Sequence, residues 1–414
     1  MRSNLLVLSV LLLAGCVARE QTPVPKSELA SLRQELQRIR ADHPELMTPE
    51  QFSAARVRGS NGWTSIEDIG RRFKEAYDDQ GWEWLVLTPP EAWSDQVERL
   101  DEKMMVALGE TYPMCAEVDA AIACDCLVPV WDDGIEVMPG LQTLNMLKLR
   151  AHIQLQRGQY EEARKEVRRM VQIAWRFDGA WCTLGLILEA GFRRLAVEAV
   201  LHLTEEDPDS TVVLAEALKV ASVESTSLLA SSSFDLAHAV QDAQFFLDIS
   251  HDEWKDRRAD PAYEDFTVEQ ELVMVRESLI EVERVLDLVR ANEWRLSEVD
   301  DARAYLKAVR AEVARMTPFE WSVVSQDSII YAAYQLLKNS MVSNTQGILL
   351  QMRKLELESK SAVDFVELVD LPNGLEFQDA DATVRIVPTA GHPIREWDDW
   401  DGEDYVAEYP KLGH

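Results

Sequence analysis

Leu141-Gln142-Thr143-Leu144-Asn145-Met146-Leu147-Lys148-Leu149-Arg150-Ala151-His152-Ile153-Gln154-Leu155-Gln156 is an uninterrupted helical run, and Gly158-Gln159-Tyr160-Glu161-Glu162-Ala163 follows it. The Gly and Ala positions recur in register thirty-three residues later, in Gly191-Phe192-Arg193-Arg194-Leu195-Ala196. Trp181-x-x-Leu184-Gly185 precedes the second copy and Pro208 follows it. Small side chains at these places let two antiparallel helices approach closely, and the proline stops a helix before the next pair. The expectation is an all-α chain built of α-solenoid helical layers.

The same residues resemble a tetratricopeptide repeat, with 158–163 in the place of its turn and second helix. The resemblance implies a second turn at Gly191 and a face able to grip an extended peptide. Arg193 stands where the first unit has Tyr160, and the interval from Gly185 to Gly191 is one residue shorter than the family spacing. Two units are fewer than a solenoid needs, so flanking helices must complete the stack. Tyr160, Trp175 and Trp181 are the candidate partner contacts. Tyr112, Trp82, Trp84 and Trp93 add to the aromatic load of this half, though such rings more often fill the space between helices.

Towards the C-terminus, Ser225-Thr226-Ser227 and Ser231-Ser232-Ser233 read as a break, which sets a helical domain at 27–224 and a linker at 225–233. Beyond it lies a helical region, 234–371. There Leu272, Val275, Leu279, Val282, Leu286 and Val289 step by three and four, and Val299, Ala302, Leu306, Val309, Val313 and Met316 repeat the pattern. Such stripes on both sides of a short turn predict an antiparallel coiled-coil hairpin. A long helix is expected near Ile329 to Ser359. In the last segment, 372–414, Gly374-Leu375-Glu376-Phe377 and Ala382-Thr383-Val384-Arg385-Ile386-Val387 alternate apolar and polar residues around Asp379-Ala380-Asp381, a small β-hairpin that must pack on a helix. The acidic run Trp397-Asp398-Asp399-Trp400-Asp401-Gly402-Glu403-Asp404 places its glycine too early for an EF-hand loop and reads as a solvated tail with docked tryptophans.

Towards the N-terminus, Thr48-Pro49-Glu50-Gln51, Thr64-Ser65-Ile66-Glu67 and Thr88-Pro89-Pro90-Glu91 announce three helices by their capping pattern. Leu29, Leu32, Leu36 and Ile39 form the stripe of an earlier one. Residues 16–26, with Pro23 and Pro25, read as a tether. Before it, Arg2, the apolar run Leu5 to Ala14 and the close Leu13-Ala14-Gly15-Cys16 make a secretory signal, 1–15. That close resembles the lipobox of bacterial lipoproteins. The resemblance implies cleavage between Gly15 and Cys16, lipid chains on Cys16 and attachment to a membrane. Val17 and Ala18 lack the acidic residue that retains some lipoproteins at the inner membrane, which points to the outer membrane and its periplasmic side. A second resemblance rests on Cys126-Leu127-Val128-Pro129-Val130-Trp131-Asp132-Asp133-Gly134, the helix led by Pro139 and the repeat pair. Together they are similar to an uncharacterised family of helical envelope proteins, some with a pseudopilin-like tail.

Charge narrows the partners. Lys and Arg number 42 against 73 Asp and Glu, a formal net charge of −31 in 414 residues. Such a surface repels nucleic-acid phosphates and anionic headgroups, so membrane contact is expected through Cys16 and no nucleic acid is expected as a partner. Cys115, Cys124, Cys126 and Cys182 are candidates for disulfides in an exported chain, with three connectivities open. Cys124-x-Cys126 lacks the second ligand pair of a zinc site, so no metal is expected. Seven histidines, at 43, 152, 202, 238, 251, 392 and 414, form no metal or catalytic pattern. No cofactor and no catalytic residue is read. The expected function is a lipid-anchored scaffold binding an envelope protein or peptide. The alternatives are a structural subunit of an envelope or secretion assembly, and an enzyme with a dispersed site. The sequence leaves the oligomeric state open.

Overall fold

The computed structural model describes residues 26–80, 100–130, 138–179, 182–221, 228–249, 268–292, 294, 299–313, 320–359, 365–379, 383–396 and 407–411. Thirteen α-helices and one small antiparallel sheet account for nearly all of them. The chain divides into two compact units: residues 1–49, 228–294 and 304–334 in the first, and 50–227, 295–303 and 335–414 in the second. The division between Ser227 and Leu228 falls within the serine-rich segment 225–233, but two details differ from the sequence reading. The first helix leaves the 27–224 segment to join the later helices, and Ser231 and Ser232 are buried inside a helix, not in a linker. Serine is a neutral helix former, and apolar neighbours on the same face decide for helix.

In the first unit, α1 (Lys26–Asp42) packs with α9 (Leu228–Asp248) and α10 (Val268–Asn292). Leu32, Leu36 and Ile39 meet Leu236, Ala243, Leu272, Leu279 and Leu286 in one apolar core. Ion pairs Arg276–Glu28 (3.5 Å) and Arg290–Glu45 (2.8 Å), with Arg38–Glu283 between them, run in the same order along both helices, so α1 and α10 are parallel. The stripe expected to face the next helix in sequence is thus spent on α1 and α9. That next helix, α11 (Val299–Val313), does form, with Ala302, Leu306 and Val309 buried. Met316 lies outside the described residues.

The second unit is a stack of helix hairpins. It runs through α2 (Pro49–Arg56), α3 (Trp63–Gln80), α4 (Leu100–Ile122), α5 (Met138–Gln156), α6 (Tyr160–Arg176), α7 (Thr183–Glu206) and α8 (Thr211–Ala221). α3 packs on α4 and α5, α5 on α6 and α7, and α6 and α7 on α8. Trp63, Phe177 and Phe192 form the aromatic centre, their rings 4.7, 4.9 and 5.9 Å apart. α3 and α5 touch at backbone distance: a Cβ on Gly70 would collide with the carbonyl of Pro139. The first repeat falls where the sequence puts it, with Gly158 (φ +67°) turning α5 into α6. The second does not. α7 runs unbroken through Gly191, and the chain turns instead at Asp207–Ser210. One glycine costs a helix only about 1 kcal/mol. Phe192, Ala196, Val197, Val200 and Leu203 are all buried and carry the helix past it, until Pro208 ends it.

Close to the C-terminus, α12 (Glu320–Glu358) and a short α13 (Phe365–Leu368) lead into strands β1 (Leu375–Asp379), β2 (Thr383–Pro388) and β3 (Ala407–Pro410). β1 and β2 pair antiparallel, Phe377 opposite Ile386, as the alternation predicts. β3 pairs on the other side of β2, Tyr409 opposite Val384, within the segment read as an acidic tail. It is anchored by the fully buried Arg353 of α12, which donates to the Pro410 carbonyl (2.9 Å) and lies under the Tyr409 ring. Tyr409 in turn donates its hydroxyl to Glu356.

No disulfide joins Cys115, Cys124, Cys126 and Cys182 here, and each has its own local contact. Cys182 accepts from the Gly185 amide at the start of α7 (3.1 Å), and Cys126 lies 3.6 Å from the Ser60 carbonyl. The segment that a disulfide was to pin is held by backbone. Residues 60–62 pair with Cys126, the Asn61 side chain bonds the Val128 backbone, Leu127 bridges to Phe177, and Arg176 donates to the carbonyls of Ile122 and Cys124.

Candidate protein-interaction face

α4 is fastened from its inner side by charge as well as by apolar contact. Met104, Ala107, Met114 and Val118 enter the core. Arg150 of α5, itself buried, donates to the Leu108 carbonyl (2.8 Å), to Thr111 Oγ1 (2.7 Å) and to Glu166 of α6 (2.8 Å). Glu166 also accepts from Arg169 (2.7 Å), which reaches on to Asp119 of α4 (2.6 Å). A buried carboxylate between two guanidinium groups keeps its charge compensated where an isolated one would be costly. Cys115 lies 3.7 Å from Glu166, and its thiol is pushed up to about 12 by burial and by that carboxylate. It therefore stays a protonated donor and not a nucleophile.

The outer side of α4 carries large apolar side chains among its acidic ones. Tyr112 is 72% exposed, Met105 49% and Val106 40%. Between them Gly109 leaves open space, since a Cβ there meets nothing within 4 Å. Pro113 lies inside the helix and has no N–H, so the Gly109 carbonyl loses its intrahelical donor on that same side. Met105, Gly109 and Tyr112 sit one turn apart, and apolar surface on both sides of a helix is the pattern of a helix with neighbours on both sides. Acidic residues line its borders. Asp101 pairs with Arg157 (3.5 Å), Glu117 with Arg72, and exposed Glu110 has no ion pair among the described residues.

Of the residues proposed from sequence for partner contact, Tyr160 and Trp175 are described and lie at opposite ends of α6. Tyr160 is 40% exposed at the start of α6, next to the turn whose Arg157 reaches α4. Trp175 is half-buried against the core, so its ring fills interhelical space. Trp181, Trp82, Trp84, Trp93, Gly15, Cys16 and the acidic runs at Trp131–Gly134 and Trp397–Asp404 lie outside the described residues. Met105, Val106 and Gly109 went unread because apolar positions on both sides of α4 blur its periodicity. Pro113 inside the helical run was the available signal.

Chemistry-bearing groups elsewhere are closed. His43 and Glu283 in the first unit are hydrogen-bonded at 3.1 Å, and Arg290 occupies the other ring nitrogen. His152 and His202 meet edge to face with centroids 4.7 Å apart. Among the described residues no group of three His, Cys, Asp or Glu is placed to hold a metal, and no helix is long and apolar enough to cross a membrane. No family model, curated protein or solved structure matches the chain.

Proposed function

We propose that the chain is a lipid-anchored scaffold of the bacterial envelope that holds a protein partner on the outer side of α4. Met105, Val106 and Tyr112 carry the reading, as an apolar surface on a helix that is firmly fixed from behind. The leader and Leu13-Ala14-Gly15-Cys16 support the anchor, placing the partner among exported proteins. The stripe that would have served a structural subunit is used within its own unit, so the scaffold reading is favoured over that one.

The experiment is site-specific photo-crosslinking in the producing bacterium, with the reactive residue at position 112 or at position 162 on the exposed side of α6. Crosslinks to one envelope protein from 112 and none from 162 are expected. Cys16→Ala is expected to abolish partition into the detergent phase. A Cys16→Ala protein that matures and partitions like wild type removes the anchor, and equal crosslinking from both positions removes the face.

A further inference from the structure

We infer that the α4 face takes a cationic amphipathic helix, whose apolar ridge seats over Gly109 between Met105 and Tyr112 and whose basic residue pairs with Glu110. This rests on the scaffold reading and names the chemistry of its partner. The notch at Gly109 is open, and the two apolar side chains flanking it are one turn away on either side. A glycine between large apolar neighbours lets a second helix approach closely and lets its side chain enter the gap as a knob.

Charge selects the occupant. α4 carries five acidic residues to one lysine, in a chain of net charge −31. A second copy would set acid against acid across the seam, whereas a basic helix meets complementary charge. Glu110 borders Val106 and Pro113 along the helix and has no ion pair among the described residues, so a base docking there displaces none of those pairs.

The test uses the full mature chain and a Leu/Lys amphipathic peptide of about five helical turns, with its Leu/Glu counterpart and a scrambled Leu/Lys peptide as comparisons. Fluorescence anisotropy at physiological ionic strength is expected to show binding of the amphipathic Leu/Lys peptide alone. Gly109→Leu, whose Cβ meets no neighbour, and Glu110→Lys should each weaken it about tenfold, while Glu162→Lys on α6 stays within about twofold. Equal losses from Glu110→Lys and Glu162→Lys would mean diffuse attraction and overturn the inference. So would an unchanged affinity in Gly109→Leu, or a wild-type dimer in sedimentation that Gly109→Leu dissociates. Crosslinking from position 112 to an envelope protein that lacks a basic helix would sink this inference while sparing the scaffold reading.

Discussion

Nε2 of His43 lies 3.1 Å from Oε1 of Glu283, and Nδ1 of the same ring faces Nη1 of Arg290 at 2.8 Å. A guanidinium only donates, so Nδ1 accepts and the ring proton sits on Nε2, pointing at the carboxylate. Glu283 also accepts two bonds from Arg38. This arrangement has the look of a base and its orienter, yet the nitrogen that would serve a substrate is already taken. It ties the end of α1 to α10.

Glu283→Ala should therefore destabilise the first unit by about 2 kcal/mol, because a buried histidine loses its acceptor and Arg38 loses its strongest contact. Glu277→Ala, a partly exposed position on the same helix, should stay within about 0.5 kcal/mol. Urea denaturation of both variants checks this. Equal midpoints would show that the cluster adds nothing to the α1–α10 contact.

Removing one member of the Arg150–Glu166 pair should cost more. Glu166→Ala leaves Arg150 buried with its charge uncompensated, a loss of about 3–5 kcal/mol, while the apolar pair Arg150→Met with Glu166→Leu should recover most of it. Thermal melts of the single and double variants decide between them. If the single variant melts like wild type, the network is not what holds α4 from behind.

Leu29, Leu32, Leu36 and Ile39 show how far the sequence reaches. Their spacing gives a helix and its buried side, and both are present. Nothing in that spacing says that the buried side meets α9 and α10, some two hundred residues away, because an apolar stripe carries no address. The hairpin read at 272–316 fails for the same reason: its helices form, but the first one's stripe matches α1 and α9 equally well. β3 escaped because a four-residue strand with two inward residues is too short to show alternation. For the interaction face, Tyr112 was visible as an aromatic, whereas Met105, Val106 and Gly109 stood out only once the inner side of α4 was known.

Two histidines of the second unit set its behaviour in acid. Burial, then the charges of Arg303 and Arg395, brings His392 down to about 4, and its Nδ1 accepts from the Ile394 amide at 3.2 Å. Burial and His202 lower His152 in the same direction. An unfolded histidine takes up its proton near 6.5. Between about 6.5 and 4 the unfolded state thus binds more protons, and stability falls as the pH falls. Full stability is present above 6.5. His392→Gln should flatten this decline by about 2 kcal/mol between pH 7 and 4, measured as denaturation midpoints at each pH against wild type. Parallel profiles for the two proteins would exclude His392 as a contributor.

Three small residues decide where the repeat turns. Gly158 adopts φ +67°, a conformation that costs an L side chain about 1 kcal/mol, so Gly158→Ala should destabilise by that amount. Gly191 lies inside α7 with open space where a Cβ would go. Gly191→Ala should therefore stabilise by about 0.4–1 kcal/mol, through helix propensity and a less free unfolded chain. A second repeat turn at that position would give the opposite sign. Ala163 is fully buried between helices, and Ala163→Leu should overpack the interface at a cost of about 1–3 kcal/mol. Melting temperatures of the three variants check all of this together. A Gly191→Ala protein that melts below wild type would put the turn back at Gly191, and an unchanged Ala163→Leu would mean that α6 does not pack where Ala163 is placed.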